Sequence, residues 1–251
     1  MSPFRSGHTV FRVVALILWA ASWSAFAAET PVSIVSSACA SIPASRTVNV
    51  STAQSLSVGQ SIVLAVAVDS ADAVDLVVSG PVGVAWSGLG GHKSEARDRS
   101  VLLLRGMSQQ NVAAGGGISL NFGLVEAARS VCVRGMRYSS FIGGAYAIGT
   151  DGQAQGLAAT TPSVAGKTGV NGGMAVAAFI FEANPNALTL SPGAISDGGA
   201  CNAALSLCLR MAHQGDIVGT AAIDMTPAST SDWQATLVVM ATPELFKDSF
   251  E

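Results

Sequence analysis

Short apolar or alternating segments recur along this chain, and residues that favour turns (Gly, Ser, Pro and Asp) separate them. No segment carries a long apolar stripe with a period of 3.6 residues and helix caps. This spacing is typical of a β-sandwich or barrel, so we expect an all-β protein. The predicted strands are 47–50, 62–68, 74–78, 101–104, 118–122, 130–134, 174–181, 188–190, 205–211, 217–223 and 234–240.

The order of these segments is repeated in the second half of the chain. Residues 61–68 and 173–181 are both apolar runs, and each is followed by acidic residues and a second short strand. Further on, residues 102–105 (LLLR) match residues 207–210 (LCLR). Two more matches follow in the same order, so we predict an internal duplication. The halves span about 47–136 and 161–240.

Two architectures are compatible with such a duplication. Each half forms a small sandwich of its own, or both halves contribute to one larger jelly-roll sandwich across residues 28–242. We prefer the single sandwich, because short halves with few large aromatic residues would make thin cores. The Gly- and Ala-rich stretch 137–160 is predicted to join the halves, and residues 243–251 form a C-terminal tail.

Three segments resemble the secreted jelly-roll modules, concanavalin-like in shape, of bacterial and phage surface proteins. They are residues 59–69 (GQSIVLAVAVD), 115–122 (GGGISLNF) and 229–240 (STSDWQATLVVM). The resemblance covers most of the chain after its first 27 residues. It implies a jelly-roll fold, and it says little about activity because these motifs are structural.

The first 27 residues have the pattern of a secretory signal peptide. Arg5, His8 and Arg12 form a positive region, residues 13–21 are apolar, and Ala25-Phe26-Ala27 places small residues before a cleavage site. The apolar stretch is too short to span a bilayer, and no later run is longer. We therefore predict a secreted or periplasmic protein without a membrane span.

Four cysteines follow this leader, and an even number in an exported chain predicts two disulfides. Cys201 and Cys208 flank a short loop, so we expect them to pair. Cys39 and Cys132 then pair by elimination. The cysteines have no CxxC spacing, and His92 and His213 stand at no ligand-like distance from them, which disfavours a zinc site.

Charged residues make up only 12% of the chain, about half the usual share of about 25%. The hydrophobic share is 49% and the net charge is −3, with no block of Lys or Arg. This composition excludes a disordered chain and a nucleic-acid partner bound by bulk positive charge. The mildly acidic balance also disfavours anionic surfaces as partners.

Catalytic motifs are scarce in this sequence. No GxSxG motif occurs, and His92 and His213 are the two histidines after the leader. His213 aligns with Gln109 in the repeat, which predicts an exposed position at a strand end. The acidic residues show no pair with the signature of a glycosidase. We therefore lean towards a non-enzyme.

Two groups of residues are candidate binding sites. Residues 91–99 concentrate charge in a charge-poor chain, and we expect ligand contacts from this segment and from Trp86. The alternative is that the segment is a solvated loop without a ligand. Asp69, Asp72 and Asp75 are close enough in sequence for a calcium site, although the DxDxDG pattern is absent. The predicted ligand-binding residues are Trp86, His92, Lys93, Glu95, Arg97, Asp98 and Arg99.

These observations favour a secreted, non-catalytic binding or structural surface module. Its expected partner is an extracellular ligand, a glycan or a cell surface, as in an adhesin. An enzyme acting on extracellular polysaccharide and a subunit of a surface assembly stay open as alternatives.

Overall fold

The computed structural model describes residues 31–138, 146–159, 161–168, 173–182, 185, 187–202, 204, 206–217 and 219–241. The predicted leader (1–27) and tail (243–251) lie outside these residues. The described chain forms sixteen strands and two single turns of 3-10 helix, Ala71–Asp75 and Glu95–Arg97. Within those ranges, no helix has the length and apolar character that a membrane crossing requires. The strands are β1 (Val32–Ser41), β2 (Thr47–Ser51), β3 (Ser61–Val68), β4 (Val77–Ser79), β5 (Val84–Ser94), β6 (Arg99–Ser108), β7 (Gly117–Asn121), β8 (Ser130–Arg137), β9 (Tyr146–Ala159), β10 (Ser163–Thr168), β11 (Gly173–Phe181), β12 (Leu188–Leu190), β13 (Ala194–Asn202), β14 (Leu207–Ile217), β15 (Thr220–Pro227) and β16 (Ser231–Ala241).

The second eight strands repeat the arrangement of the first eight. The first half has a five-stranded sheet in the order β1-β8-β3-β6-β5 and a three-stranded sheet in the order β2-β7-β4. The second half has β9-β16-β11-β14-β13 and β10-β15-β12, which are the same orders shifted by eight strands. All pairings are antiparallel. The prediction of an all-β sandwich fold is confirmed, and the finer jelly-roll assignment stays a prediction.

Three hydrophobic cores stack through the molecule. One core lies within the first half and contains Leu64 and Leu120, and a second lies within the second half and contains Phe179 and Ile223. The third core draws residues such as Leu103 and Leu209 from both five-stranded sheets, so these sheets pack on each other. Each half therefore has a large and a small sheet packed around a core of its own. The two large sheets also pack together, as in a single larger sandwich.

The central strands β3 and β11 are buried on both faces, which explains their continuous apolar sequences. In β3, Val63 and Ala65 face the core between the halves, while Ile62 and Leu64 face the core of the first sandwich. Small residues such as Ala65 let two sheets pack on one strand from opposite sides. These two strands are the clearest strands in the sequence for this reason.

The packing between the halves has approximate two-fold symmetry. Strand β1 contacts β13, and β5 contacts β9; likewise β8 contacts β14, and β6 contacts β16. The counterpart of each strand of the first half is the strand eight places later in the chain. The contact of β1 with β13 therefore has the contact of β9 with β5 as its symmetry mate, and the contact of β8 with β14 has that of β16 with β6. Such self-complementary packing is the geometry of an isologous dimer, here built within one chain.

The edge strands of both large sheets carry register shifts. Strand β5 shifts between Gly88 and Gly90, and β13 shifts between Ser196 and Gly198. Strands β1 and β9 each shift twice against their neighbours. A bulge on an edge strand bends it away from a flat ladder, which opposes edge-to-edge pairing with another chain.

Five strands were not predicted from the sequence: β1, β5, β9, β10 and β13. Strand β9 occupies most of the Gly/Ala-rich stretch that was predicted to be a linker, and most of β5 lies in a segment rich in Gly and charge. The predicted strand 74–78 begins as a 3-10 turn and continues into β4, and the predicted strand 217–223 covers the end of β14 and the start of β15. Edge strands bury few side chains, so their sequences lack the apolar run that marks β3.

Both predicted disulfides are confirmed. Cys39 and Cys132 are directly opposite each other on β1 and β8, and Cys201 and Cys208 are opposite each other on β13 and β14. Each bond joins an edge strand of a large sheet to its neighbour. Each also lies within one half, so no covalent bond besides the main chain joins the halves.

Candidate functional site

The charged segment 91–99 is the end of β5, the turn Glu95–Arg97 and the start of β6. The turn closes with Asp98 in the left-handed region, at φ 49°. The Asp98 carboxylate accepts a hydrogen bond of 2.8 Å from the main-chain N–H of Ala71. These contacts fold the segment back onto the protein.

The side chains of His92 and Arg97 hydrogen-bond to the second half of the chain. The ring nitrogens of His92 lie 3.1 Å from Gln153 Oε1 and 3.4 Å from Gln155 Oε1, both on β9. Arg97 Nη1 donates to the main-chain oxygens of Gly156 (2.7 Å) and Trp233 (3.1 Å). The side chain of Arg97 is 12% exposed, so its cation is mostly withdrawn from water.

The remaining charges of the segment form ion pairs. Lys93 pairs with Glu95 at 3.2 Å, and both side chains are exposed. Arg99 lies 3.4 Å from Asp69 and 3.8 Å from Glu182 of the second half. Asp98 pairs with Arg129 at 2.7 Å. The segment therefore combines ion pairs at the surface with polar contacts between the two halves.

Arg97→Ala is expected to lower the free energy of unfolding by about 1.5–3 kcal/mol, because the mostly buried Arg97 cation donates hydrogen bonds to two main-chain carbonyls of the second half. Denaturation in guanidinium chloride measures this change. Lys93→Ala is the matched control: its ion pair is exposed, so we expect a change within about 0.5 kcal/mol. Equal effects of the two variants would show that Arg97 does not hold the halves together.

The three aspartates of the candidate calcium site do not converge. Asp69 faces Arg99, whereas Asp72 and Asp75 are exposed on the 3-10 turn. In the described part of the chain, no three His, Cys, Asp or Glu side chains come together as metal ligands. Ser70 caps this turn instead, since its hydroxyl accepts a hydrogen bond from the N–H of Asp72.

Trp86 lies on β5 beside an apolar groove. Its indole N–H donates to the main-chain oxygen of Gly80 at 2.6 Å, and its ring packs over Gly106, where a Cβ atom would lie 2.9 Å from the ring. Trp86 is half-buried, and Gly88, two residues along the same strand, is exposed. The groove has a volume of about 390 Å³ and no charged lining residue; its lining is Leu76, Gly88, Leu89, Gly90, Leu102, Leu103 and Leu104.

The register of the strands gives the second-half counterparts of the lining residue Leu102 and of the neighbouring Trp86. Leu89 is the bulged residue of β5, and Asp197 is the bulged residue of β13. Counting from these bulges, Leu102 corresponds to Arg210 and Trp86 to Ala194. Desolvation by burial lowers the pKa of Arg210 from its ordinary value. The second half therefore has a cationic side chain, Arg210, where the apolar groove of the first half has Leu102.

A buried polar cluster lies at the interface between the halves. Asp197 Oδ1 lies 2.8 Å from His213 Nδ1, and Asp197 Oδ2 accepts a hydrogen bond of 2.6 Å from the hydroxyl of Tyr138. Arg134 Nε donates to the main-chain oxygen of Asp197 at 3.1 Å. Tyr138 and His213 are each 1% exposed and the Asp197 side chain 0%, so this cluster is out of reach of a substrate.

The prediction that His213 is an exposed strand-end residue is wrong. His213 lies within β14 and faces the other half, and Gln109 follows the end of β6. The sequence match of 102–105 with 207–210 paired Arg105 with Arg210, but register from the two bulges pairs Arg105 with His213. The match was off by three residues, and an odd slip moves every side chain to the opposite face of a strand.

Sequence analysis missed Tyr138 and Asp197. A usable signal was present: the glycine pair Gly90-Gly91 follows Leu89, and Gly198-Gly199 follows Asp197. Aligning the halves on these glycines places a carboxylate where the first half has leucine. A polar residue at an apolar position of a repeat is the mark of a buried network.

No protein-family model, no curated protein and no solved structure matches this chain. The resemblance to secreted jelly-roll modules therefore stays a prediction.

Proposed function

We propose that this protein is an exported, non-catalytic binding module that holds an extracellular ligand in the β5 groove beside Trp86. The observation that carries the proposal is the uncharged groove on β5, whose lining residue Leu102 is replaced by Arg210 in the half with the same strand order. The fold does not require the groove, because the second half forms the same sheets with Arg210 and Ala194 in place of Leu102 and Trp86. A volume of about 390 Å³ is within the range of small-ligand sites.

The lining favours a neutral ligand with an apolar face. A sugar ring meets this description, since its C–H face can pack on the leucine side chains while its hydroxyl edges stay in water. Gly88 and Gly90 leave the main chain of β5 open to close approach. We therefore propose a glycan on an extracellular surface as the partner. Both disulfides and the signal-peptide pattern support export.

The two alternative functions have less support among the described residues. A polysaccharide-cleaving enzyme would need two acids, or His92 with an acid, in one groove; the hydrogen-bond partners of the His92 ring are Gln153 and Gln155. A subunit that assembles through its sheet edges would need flat, unpaired edges. The edges of both large sheets are bulged instead.

Gly88→Leu tests the groove directly, because a Cβ atom at Gly88 meets nothing within 4 Å and the new side chain fills the space. We expect the exported protein to bind at least one glycan on an array, and Gly88→Leu to weaken that binding at least about tenfold. Gly215→Leu is the matched control, since Gly215 is also exposed with open space around it. Its binding is expected to equal that of the unchanged protein.

Trp86→Ala provides the second arm of this test, with the melting temperature recorded alongside. Loss of binding in a folded Trp86→Ala variant supports the proposed site. Binding by Gly88→Leu at full strength would place the ligand elsewhere on the protein. An array with no bound glycan would remove the carbohydrate proposal, and binding to a cell surface treated to remove glycans would then indicate an adhesin with a protein partner.

A further inference from the structure

The interface between the halves is self-complementary in its strand contacts but not in its residues. The cluster of Tyr138, Arg134, Asp197 and His213 occupies one of two positions that the two-fold relation makes equivalent. Strand register identifies the residues at the other position. From the register at the two bulges, Leu89 is equivalent to Asp197 and Arg105 is equivalent to His213.

The other two counterparts follow from the central strands. Ala65 of β3 pairs with Arg134, and Ala178 of β11 pairs with Thr236, so Thr236 stands for Arg134. Four residues further along, Met240 stands for Tyr138. The second position therefore holds no carboxylate and no tyrosine. The hydroxyl of Thr236 is buried there without a hydrogen-bond partner.

We propose that the Tyr138–Asp197–His213 cluster selects the pairing of unlike halves. The two-fold geometry by itself would equally admit two first halves or two second halves from separate chains. The cluster is complete only when a first half, which brings Tyr138 and Arg134, meets a second half, which brings Asp197 and His213. The cluster therefore determines that the large sheet of a first half packs on the large sheet of a second half.

Each like pairing leaves part of the cluster unsatisfied. Two second halves would set Asp197 against Met240, which has no hydrogen to donate, so the buried carboxylate would lose the Tyr138 hydroxyl. Two first halves would set Tyr138 against Leu89, which has no acceptor, and would bring Arg134 and Arg105 to one site. An unpaired polar group in a dry interface is costly, and a mismatched charge is more so.

The test uses the whole chain with a protease site inserted between residues 139 and 145. The protein is folded with both disulfides intact, cut at this site and left to exchange, and native mass spectrometry then counts like and unlike pairs. Because each disulfide lies within one half, cutting leaves only the interface to join them. We expect unlike pairs at an excess of about tenfold or more over random pairing.

The triple variant Tyr138→Phe, Asp197→Leu, His213→Leu removes the polar requirement from both halves. We expect its unlike pairs to fall towards the random proportion. Thr236→Val at the equivalent position is the matched control and is expected to keep the excess. Random pairing or complete dissociation of the cut unchanged protein would overturn the proposal, and so would an undiminished excess in the triple variant.

A measurement on the uncut chain protects the test against a triple variant that does not fold. Tyr138→Phe and Asp197→Asn are compared singly and together by denaturant unfolding. The proposal expects their effects to be non-additive, since the two groups share one hydrogen bond across the interface. Additive effects on the free energy of unfolding would mean that this cluster does not couple the halves, and they would contradict the proposal.

Discussion

Asp197→Ala is expected to lower the free energy of unfolding by about 2–5 kcal/mol, because two buried polar side chains lose their hydrogen-bond partner. The hydroxyl of Tyr138 and the imidazole of His213 would lose an acceptor in an interface that excludes water. The new cavity between the sheets adds to this cost. Urea denaturation without reductant, followed by far-UV circular dichroism, measures the change.

Asp72→Ala is the control for this prediction. Asp72 is exposed on the 3-10 turn, so we expect a change within about 0.5 kcal/mol. His213→Leu should resemble Asp197→Ala in direction, since each removes one side of the same contact. If Asp197→Ala unfolds at the same urea concentration as Asp72→Ala, the cluster does not stabilise the fold.

Removal of the Cys39–Cys132 disulfide by Cys39→Ala and Cys132→Ala is expected to cost about 4.7 kcal/mol. The bond closes a loop with a sequence separation of 93 residues, and a long closed loop removes much conformational entropy from the unfolded chain. Removal of Cys201–Cys208, whose separation is 7, is expected to cost about 2.4 kcal/mol on the same model. Unfolding in guanidinium chloride without reductant compares the two variants.

The difference between the two disulfide variants is the informative quantity. Each pair joins one edge strand to its neighbour and has one fully buried member, Cys132 or Cys208, so the packing losses are similar. Loop length is the main remaining difference. A larger loss on removing Cys201–Cys208 would show that packing or denatured-state structure, not loop entropy, sets the stabilisation.

The duplication and the binding proposal are connected by the places where the halves differ. The first half has the groove lined by Leu102 and Leu104, and the second half supplies Asp197 and His213 to the interface. Shared topology accounts for the sheets of both halves. The residues that differ between equivalent positions are therefore the ones to which we assign ligand binding and the pairing of the halves.

The sequence predicted the concentration of charge in segment 91–99 but not its contacts with the second half. Its concentration of charge in a charge-poor chain is real. The sequence could not show that Arg97 reaches the carbonyls of Gly156 and Trp233, which lie 59 and 136 residues away. Contacts over such separations leave no periodic trace in the local sequence.

The sequence by itself determined the all-β class, the central strands and the two disulfides. These depend on side-chain alternation, turn residues and cysteine count, which are properties of short segments. Tertiary structure alone decided that two sandwiches pack through their large sheets, that His213 faces Asp197 and that an apolar groove forms along β5. Those outcomes depend on strand register between distant segments, where a slip of one residue exchanges the buried and exposed faces.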